Sequence, residues 1–314
     1  MEFENSDGMD RRKALRCMGW AGAGALYTIG GGVASSIALD AAIAHGGMHA
    51  GVAPFTFLQI SDSHVGFDKP ANPDARATYR AAVAKVKALP VRPDFILHTG
   101  DISHLSRDVE FADADAIIGE AGLPVFHIPG EHDMLDEGGG AAYLARYGKG
   151  SLGAGWYSFD HRGVHFVALI NVANLKPGGM GHLGDDQLAW LAKDLGALSA
   201  STPIILFSHI PLWTVYADWG WGTDDSLQAL ALLSRFGSVT LLNGHIHQVI
   251  QKVEGNLSFH SARSTAYPQP APGSAPSPGP LKVPADQLPT VLGIRTATVT
   301  TAKAQIALLD TSLA

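Results

Sequence analysis

Five short apolar runs in this chain each stop at a metal-binding or acid–base side chain. Phe55–Ile60 runs into Ser61-Asp62-Ser63-His64, and Asp94–Leu97 into His98-Thr99-Gly100-Asp101. Pro124–Ile128 leads to Pro129-Gly130-Glu131-His132-Asp133, Pro203–Phe207 to Ser208-His209, and Val239–Leu242 to Asn243-Gly244-His245-Ile246-His247. Runs of this length, bounded by Gly, Pro and polar residues, read as strands. Between them Pro73–Leu89, Arg107–Ala121 and Gln187–Leu198 carry apolar residues at helical spacing. Trp156–Asp160 and Val164–Ile170 read as a hairpin turning at His161-Arg162-Gly163, and Val291–Thr300 with Ala304–Leu309 as a closing strand pair. Strands alternating with helices define the α/β class, and open α/β sheets collect their sites where strands end.

The chemistry those ends can carry is narrowed by composition. The only cysteine is Cys17, so nothing downstream can form a disulfide or a thiolate metal site. A metal here takes His, carboxylate and amide donors, a set that suits Fe, Mn or Zn. The formal net charge of −7, with no basic run beyond the extreme N-terminus, argues against a nucleic-acid-binding surface.

Arg11-Arg12-Lys13 precedes a long uncharged Gly/Ala-rich stretch from Cys17 to Ala38, followed by Ala42-Ile43-Ala44. That is the charged, apolar and small-residue order of a signal peptide, and the paired arginines resemble a twin-arginine (Tat) signal. The expectation is a signal over 1–44, cut after Ala44, and a catalytic domain over 45–314 exported to the periplasm or beyond by the Tat machinery. The competing reading is a retained membrane anchor, since the stretch is long enough to span a bilayer.

Eight of the eighteen prolines fall between Ser264 and Thr290. Proline fixes φ and lacks an amide hydrogen, so 264–290 is expected as a loop with neither helix nor inner strand, leading into closing strands over 291–314. A loop of that length is normally functional or disordered.

In strand-like turns residues two apart point the same way, so Asp62 with His64, and His245 with His247, can converge on one centre. Taken in order, Asp62-x-His64, Gly100-Asp101, Gly130-Glu131-His132-Asp133, Ser208-His209 and Gly244-His245-x-His247 resemble the calcineurin-like metallophosphoesterases. The nearest branch is the bacterial one that includes class III cyclic-nucleotide phosphodiesterases. The resemblance covers roughly Phe55 to His247 and implies a four-layer α-β-β-α sandwich holding two metal ions. It assigns Asp62, His64 and His247 to one ion, Glu131, His209 and His245 to the other, and Asp101 to a bridge between them. It makes His132 the group that hydrogen-bonds phosphate or protonates the leaving alkoxide, with Asp133 orienting its imidazole. The implied reaction is attack on a phosphate ester by a hydroxide activated between the ions.

Glu131 departs from that family, which usually has Asn there. A third carboxylate lowers the charge of a two-divalent-ion site to about +1 from about +2, which disfavours dianionic monoesters and favours diesters. Alternatively Glu131 turns away and water takes its place. His104, Trp213 and Trp219 are candidates for substrate contact, although the tryptophans also read as loop core. The competing functions are a phosphomonoesterase and, from another class, an exported metal-binding protein without turnover.

Overall fold

The computed structural model describes residues 54–300 and 306–314. The expected export signal, with Arg11, Arg12, Cys17 and Ala44, lies outside the described residues, as does the segment 301–305. Eleven strands form two sheets among the described residues. In the first, β1 (Phe55–Ile60), β2 (Ile96–Thr99) and β3 (Val125–Ile128) run parallel, while β10 (Gly293–Val299) lies antiparallel on β1 and β11 (Ile306–Ser312) on β10. The second has the order β4 (Tyr157–His161), β5 (Val164–Ala168), β6 (Ile204–Ser208), β7 (Val239–Asn243), β9 (Leu257–Ser261) and β8 (Gln251–Glu254). There β5, β6, β7 and β9 are parallel.

Strands β1, β2, β5, β6 and β7 are buried on both faces, which is why they read as unbroken apolar runs instead of alternating ones. One face of each sheet meets the other sheet. Phe57 of the first packs edge-on against Phe166 of the second at 5.5 Å, within a core that includes Leu97, Ile128, Phe207 and Val299. The outer face of the first sheet is covered by α1 (Ala75–Lys87), α2 (Asp108–Gly119) and α3 (Ala141–Tyr147), through Tyr79, Val83, Phe111, Ile117 and Tyr143. The outer face of the second is covered by α4 (Asp185–Gly196) and α5 (Ser226–Leu233), through Leu191, Leu195, Ala229 and Leu233. This is the expected α-β-β-α sandwich. Truncating a residue such as Phe166, fully buried between the sheets, costs ~3–5 kcal/mol.

Local chemistry sets the helix ends. The Asp74 side chain accepts from Ala77 N at 3.0 Å, so α1 starts after Asp74 and not at Pro73. Glu110 reaches back to Leu105 N (2.7 Å) and Arg107 N (3.3 Å), capping α2. His161 belongs to β4, and the hairpin turns on Arg162 and Gly163 alone, both at positive φ as a two-residue primed turn requires. The hairpin β8–β9 and the helices α3 and α5 go beyond the sequence reading. So does α6 (Leu288–Val291), a single turn inside the proline-rich segment. Pro289 stands in its first turn, where no amide hydrogen is needed. No described helix is long and apolar enough to cross a membrane.

Candidate metal centre

The parallel strands of both sheets deliver their C-terminal ends to one edge, where the turns interlock. Asp62 N donates to Gly100 O (3.0 Å), His64 N to Asp101 O (2.8 Å) and Gly244 N to His209 O (3.1 Å). Across the sheets, His245 N donates to Asp62 Oδ1 at 3.0 Å. Seven described non-glycine residues have φ in the left-handed region, and five of them are Asp62, His64, Asp101, His245 and His247. Each such conformation costs on the order of 1 kcal/mol, and here the strain aims the side chains. Gly130 is needed because a Cβ there would lie 2.0 Å from Asp101 Oδ1.

Two donor clusters result. Asp62, His64, Asp101 and His247 present ligand atoms within 4.8 Å of one another, and so do Glu131, His209 and His245. Asp101 Oδ2 lies between the clusters, 3.3 Å from His64 Nε2 and 3.4 Å from His209 Nε2. Its other oxygen accepts from His132 N at 3.0 Å, which sets the orientation. Glu131 points inward, with Oε2 2.9 Å from His209 Nε2 and Oε1 3.0 Å from His245 Nδ1. The ring nitrogens are aimed from behind: His209 Nδ1 donates to Thr99 O (2.7 Å) and His247 Nδ1 to Tyr267 O (2.6 Å). Such backing fixes the tautomer and leaves Nε2 free to ligate.

The donors fit cations. Asp62 Oδ2, Glu131 Oε2, His209 Nε2 and both ring nitrogens of His245 are buried and make no hydrogen bond, although neighbouring donors lie close by. Leaving buried polar atoms without hydrogen bonds costs ~1–3 kcal/mol each, and a set aimed at shared ions would offset that cost.

The electrostatics agree with the geometry. Burial raises the Asp62 carboxyl, but His247 and His209 outweigh it and bring it down to about 2. Burial likewise opposes ionisation of Glu131, yet His245 and His209 hold it well below the usual range. His132 is lowered by burial but raised overall by Asp101, Glu131 and its bond to the His104 carbonyl. Burial, with His132 close by, pushes His104 down to about 4.

Several expected roles change. Asp133 does not orient the His132 imidazole. Its buried carboxylate accepts from Ile102 N, Ser103 N, Ser103 Oγ and Gly130 N, all between 2.8 and 3.0 Å, and so ties two ligand-bearing turns together. The imidazole is held instead by His132 Nδ1 donating to His104 O at 2.7 Å. The His104 ring stacks on His132 at 4.8 Å and lies 3.5 Å from His64 Nδ1, so it lines the first cluster. Trp213 packs on Phe259 under Lys252 as part of the second sheet's outer core. Trp219 and Trp221 are buried with Ile246, beneath the turn between His245 and His247. Trp219 and Trp221 thus form a loop core, and Trp213 joins the outer core of the second sheet. Tyr267, whose hydroxyl lies 3.1 Å from His64 Nε2, was not anticipated. Its only sequence signal is its place at the head of the proline-rich segment.

Outside this centre, His182 faces Asp224 and Asp225, but Asp225 also accepts from Leu183 N and Gly184 N. That cluster clasps the start of α4.

A four-layer sandwich with paired His/carboxylate clusters at one strand edge is that of a metal-dependent phosphoric ester hydrolase. Residues 55–249 match the sequence profile described as calcineurin-like phosphoesterase, and the chain belongs to that family. It is 28% identical over 215 residues to a protein named as a probable cyclic nucleotide phosphodiesterase of Synechococcus sp., covering 67% of this chain and 80% of the relative. It is 29% identical over 203 residues to a glycerophosphodiester phosphodiesterase of Enterobacter lignolyticus, covering 63% and 71%. Among solved structures it shares the fold of a dimetal phosphatase from Danio rerio, with TM-score 0.58, 14% identity, and 82% and 99% coverage.

Proposed function

We propose that this chain is a phosphodiesterase with two ions, one held by Asp62, His64, Asp101 and His247, the other by Glu131, His209, His245 and the shared Asp101. The observation that carries this is the set of buried, unpaired donor atoms converging in two adjacent clusters. When bound, the ions would polarise the phosphoryl oxygens and supply an activated water for in-line attack.

The chain's own residues supply the rest. His132 offers a ring nitrogen in reach of Asp101 and Glu131. It would donate a hydrogen bond to phosphate and then a proton to the leaving alkoxide. Asp62, Asp101 and Glu131 bring three negative charges, which lowers the field facing substrate and favours a monoanionic diester over a dianionic monoester. The names of the two relatives, both phosphodiesterases, support the same preference. Iron, manganese or zinc suits the His/carboxylate donors, and the added hard carboxylate favours trivalent iron at one position. Export as a folded protein through the twin-arginine route, to the periplasm or the extracellular space, is proposed from Arg11 and Arg12 and the apolar stretch after them.

The test is turnover of bis-p-nitrophenyl phosphate and of p-nitrophenyl phosphate by protein whose metal content has been measured. Higher kcat/KM for the diester with two ions per chain is expected. Higher kcat/KM for the monoester reverses the substrate assignment. Two bound ions with neither ester turned over would make the chain a metal-binding protein without catalysis.

A further inference from the structure

Tyr267 stands in the segment between β9 and α6, which is clipped across the first donor cluster. Ser264 Oγ donates to Asp62 O (2.7 Å), Thr265 N to Ser61 O (3.1 Å), Asn72 Nδ2 to Ala266 O (2.6 Å) and Gln269 Nε2 to His245 O (2.9 Å). Three of these bonds reach the backbone of two ligand-bearing turns, at Asp62, Ser61 and His245, so the segment is registered to the site itself. Tyr267 is thereby buried, at 4% exposure. Its ring stacks on His64 at 4.8 Å and lies 4.7 Å from the His247 ring, and its carbonyl backs His247.

The hydroxyl is the informative atom. It lies 3.1 Å from His64 Nε2 and has no other hydrogen-bond partner among the described residues. That same nitrogen faces Asp101 Oδ2 at 3.3 Å and His247 Nε2 at 3.4 Å, so it is the His64 atom available to an ion. A ring nitrogen has one lone pair. Once it is given to a cation, it cannot accept the phenol's hydrogen. Leaving a buried hydroxyl unpaired is unfavourable, so it turns to another acceptor beside the first ion. With substrate bound, the acceptor at hand is the phosphate group.

We propose that Tyr267 donates its hydroxyl hydrogen to a phosphoryl oxygen of the substrate, and so helps to bind and position the ester at the first ion. The proposal rests on the two-ion reading above. It makes the proline-rich segment part of the active site: the prolines stiffen the chain that carries Tyr267, lowering the entropy cost of holding it in place.

The experiment compares wild type with Tyr267→Phe, both as full chain loaded with Mn²⁺. Bound metal, melting temperature, affinity for inorganic phosphate by titration calorimetry, and kcat/KM for bis-p-nitrophenyl phosphate are all measured. The variant keeps the ring and its packing, so two ions per chain and an unchanged melting temperature are expected. Phosphate should bind roughly 10-fold more weakly, as the loss of one charge-assisted hydrogen bond predicts. Activity should fall by about 10- to 100-fold. Equal phosphate affinity in the two proteins overturns the proposal while leaving the two-ion reading intact. Loss of an ion from the variant also overturns it, because the hydroxyl would then be a ligand. A wild type that binds no pair of ions removes both readings at once.

Discussion

Glu131 Oε2 lies 2.9 Å from His209 Nε2, and its other oxygen lies 3.0 Å from His245 Nδ1, so the carboxylate sits within the second donor cluster. The resemblance drawn from the sequence leads to a neutral Asn being expected at that position. Reverting Glu131→Asn raises the charge of the centre by one and should raise kcat/KM more for a monoester, with about two negative charges near neutral pH, than for a matched diester with one. The check is the monoester-to-diester ratio on both proteins at equal metal content. An unchanged ratio would mean that Glu131 acts by shape and not by charge.

Asp101 Oδ2 lies 3.3 Å from His64 Nε2 in the first cluster and 3.4 Å from His209 Nε2 in the second. Asp101→Asn should lower bound metal below two ions per chain and remove nearly all turnover, because a neutral amide bridges two cations poorly. Elemental analysis after gel filtration reads this directly, and full occupancy in the variant would take Asp101 out of the bridge.

His132→Ala should keep the metals and lose about 10²–10⁴-fold in rate, most of all on esters with poor leaving groups. The side chain is tied at Nδ1 to His104 O, which leaves its other ring nitrogen to carry the proposed proton. Rates for a series of leaving groups test it: a loss independent of leaving-group pKa would contradict proton donation.

Away from the site, His165 donates to Asp194 at 2.9 Å and to Asp160 at 2.8 Å. Burial lowers its pKa, but the bonds to Asp194 and Asp160 outweigh burial and raise it, while that of Asp194 is lowered overall by His165 and Ser158 against burial. The raised histidine contributes its stability fully below its unfolded value and loses it as pH climbs through the folded one. His165→Gln should therefore melt below wild type near pH 6, with the gap narrowing toward pH 9. A gap that widens with rising pH has the wrong sign for this pair.

Changing Arg11 and Arg12 together to Lys should leave the precursor in the cytoplasm, because the twin-arginine route reads that pair. Fractionation with immunoblotting checks it, and normal export would point to another route.

The donor set was legible because strand ends are local. An apolar run stopping at Asp62-Ser63-His64 or at Gly244-His245-Ile246-His247 needs only the chain itself to show that side chains gather at a strand's C-terminal edge. The short helices α3 and α5 and the edge strand β8 were not legible, since packing against the sheets and pairing with β9 stabilise segments too short to declare themselves. Asp133 was misread for a related reason. Its position beside His132 suggests a bond to that ring, whereas its partners are two amides and the Ser103 hydroxyl from a turn some thirty residues earlier, together with the Gly130 amide.

By itself, then, the sequence determined the alternation of strand and helix, the order of the donor residues and the exclusion of thiolate chemistry. Periodicity, turn residues and side-chain type are properties of short stretches. Tertiary structure decided what depends on distance across the chain. It turned Glu131 inward, gave His132 its anchor in His104, buried Trp219 and Trp221 under a ligand turn and brought Tyr267 to His64 across 203 positions. Those contacts arise from the interlocking of two sheets and a strapped loop, and no local pattern encodes which distant residue the closing fold will set against a given side chain.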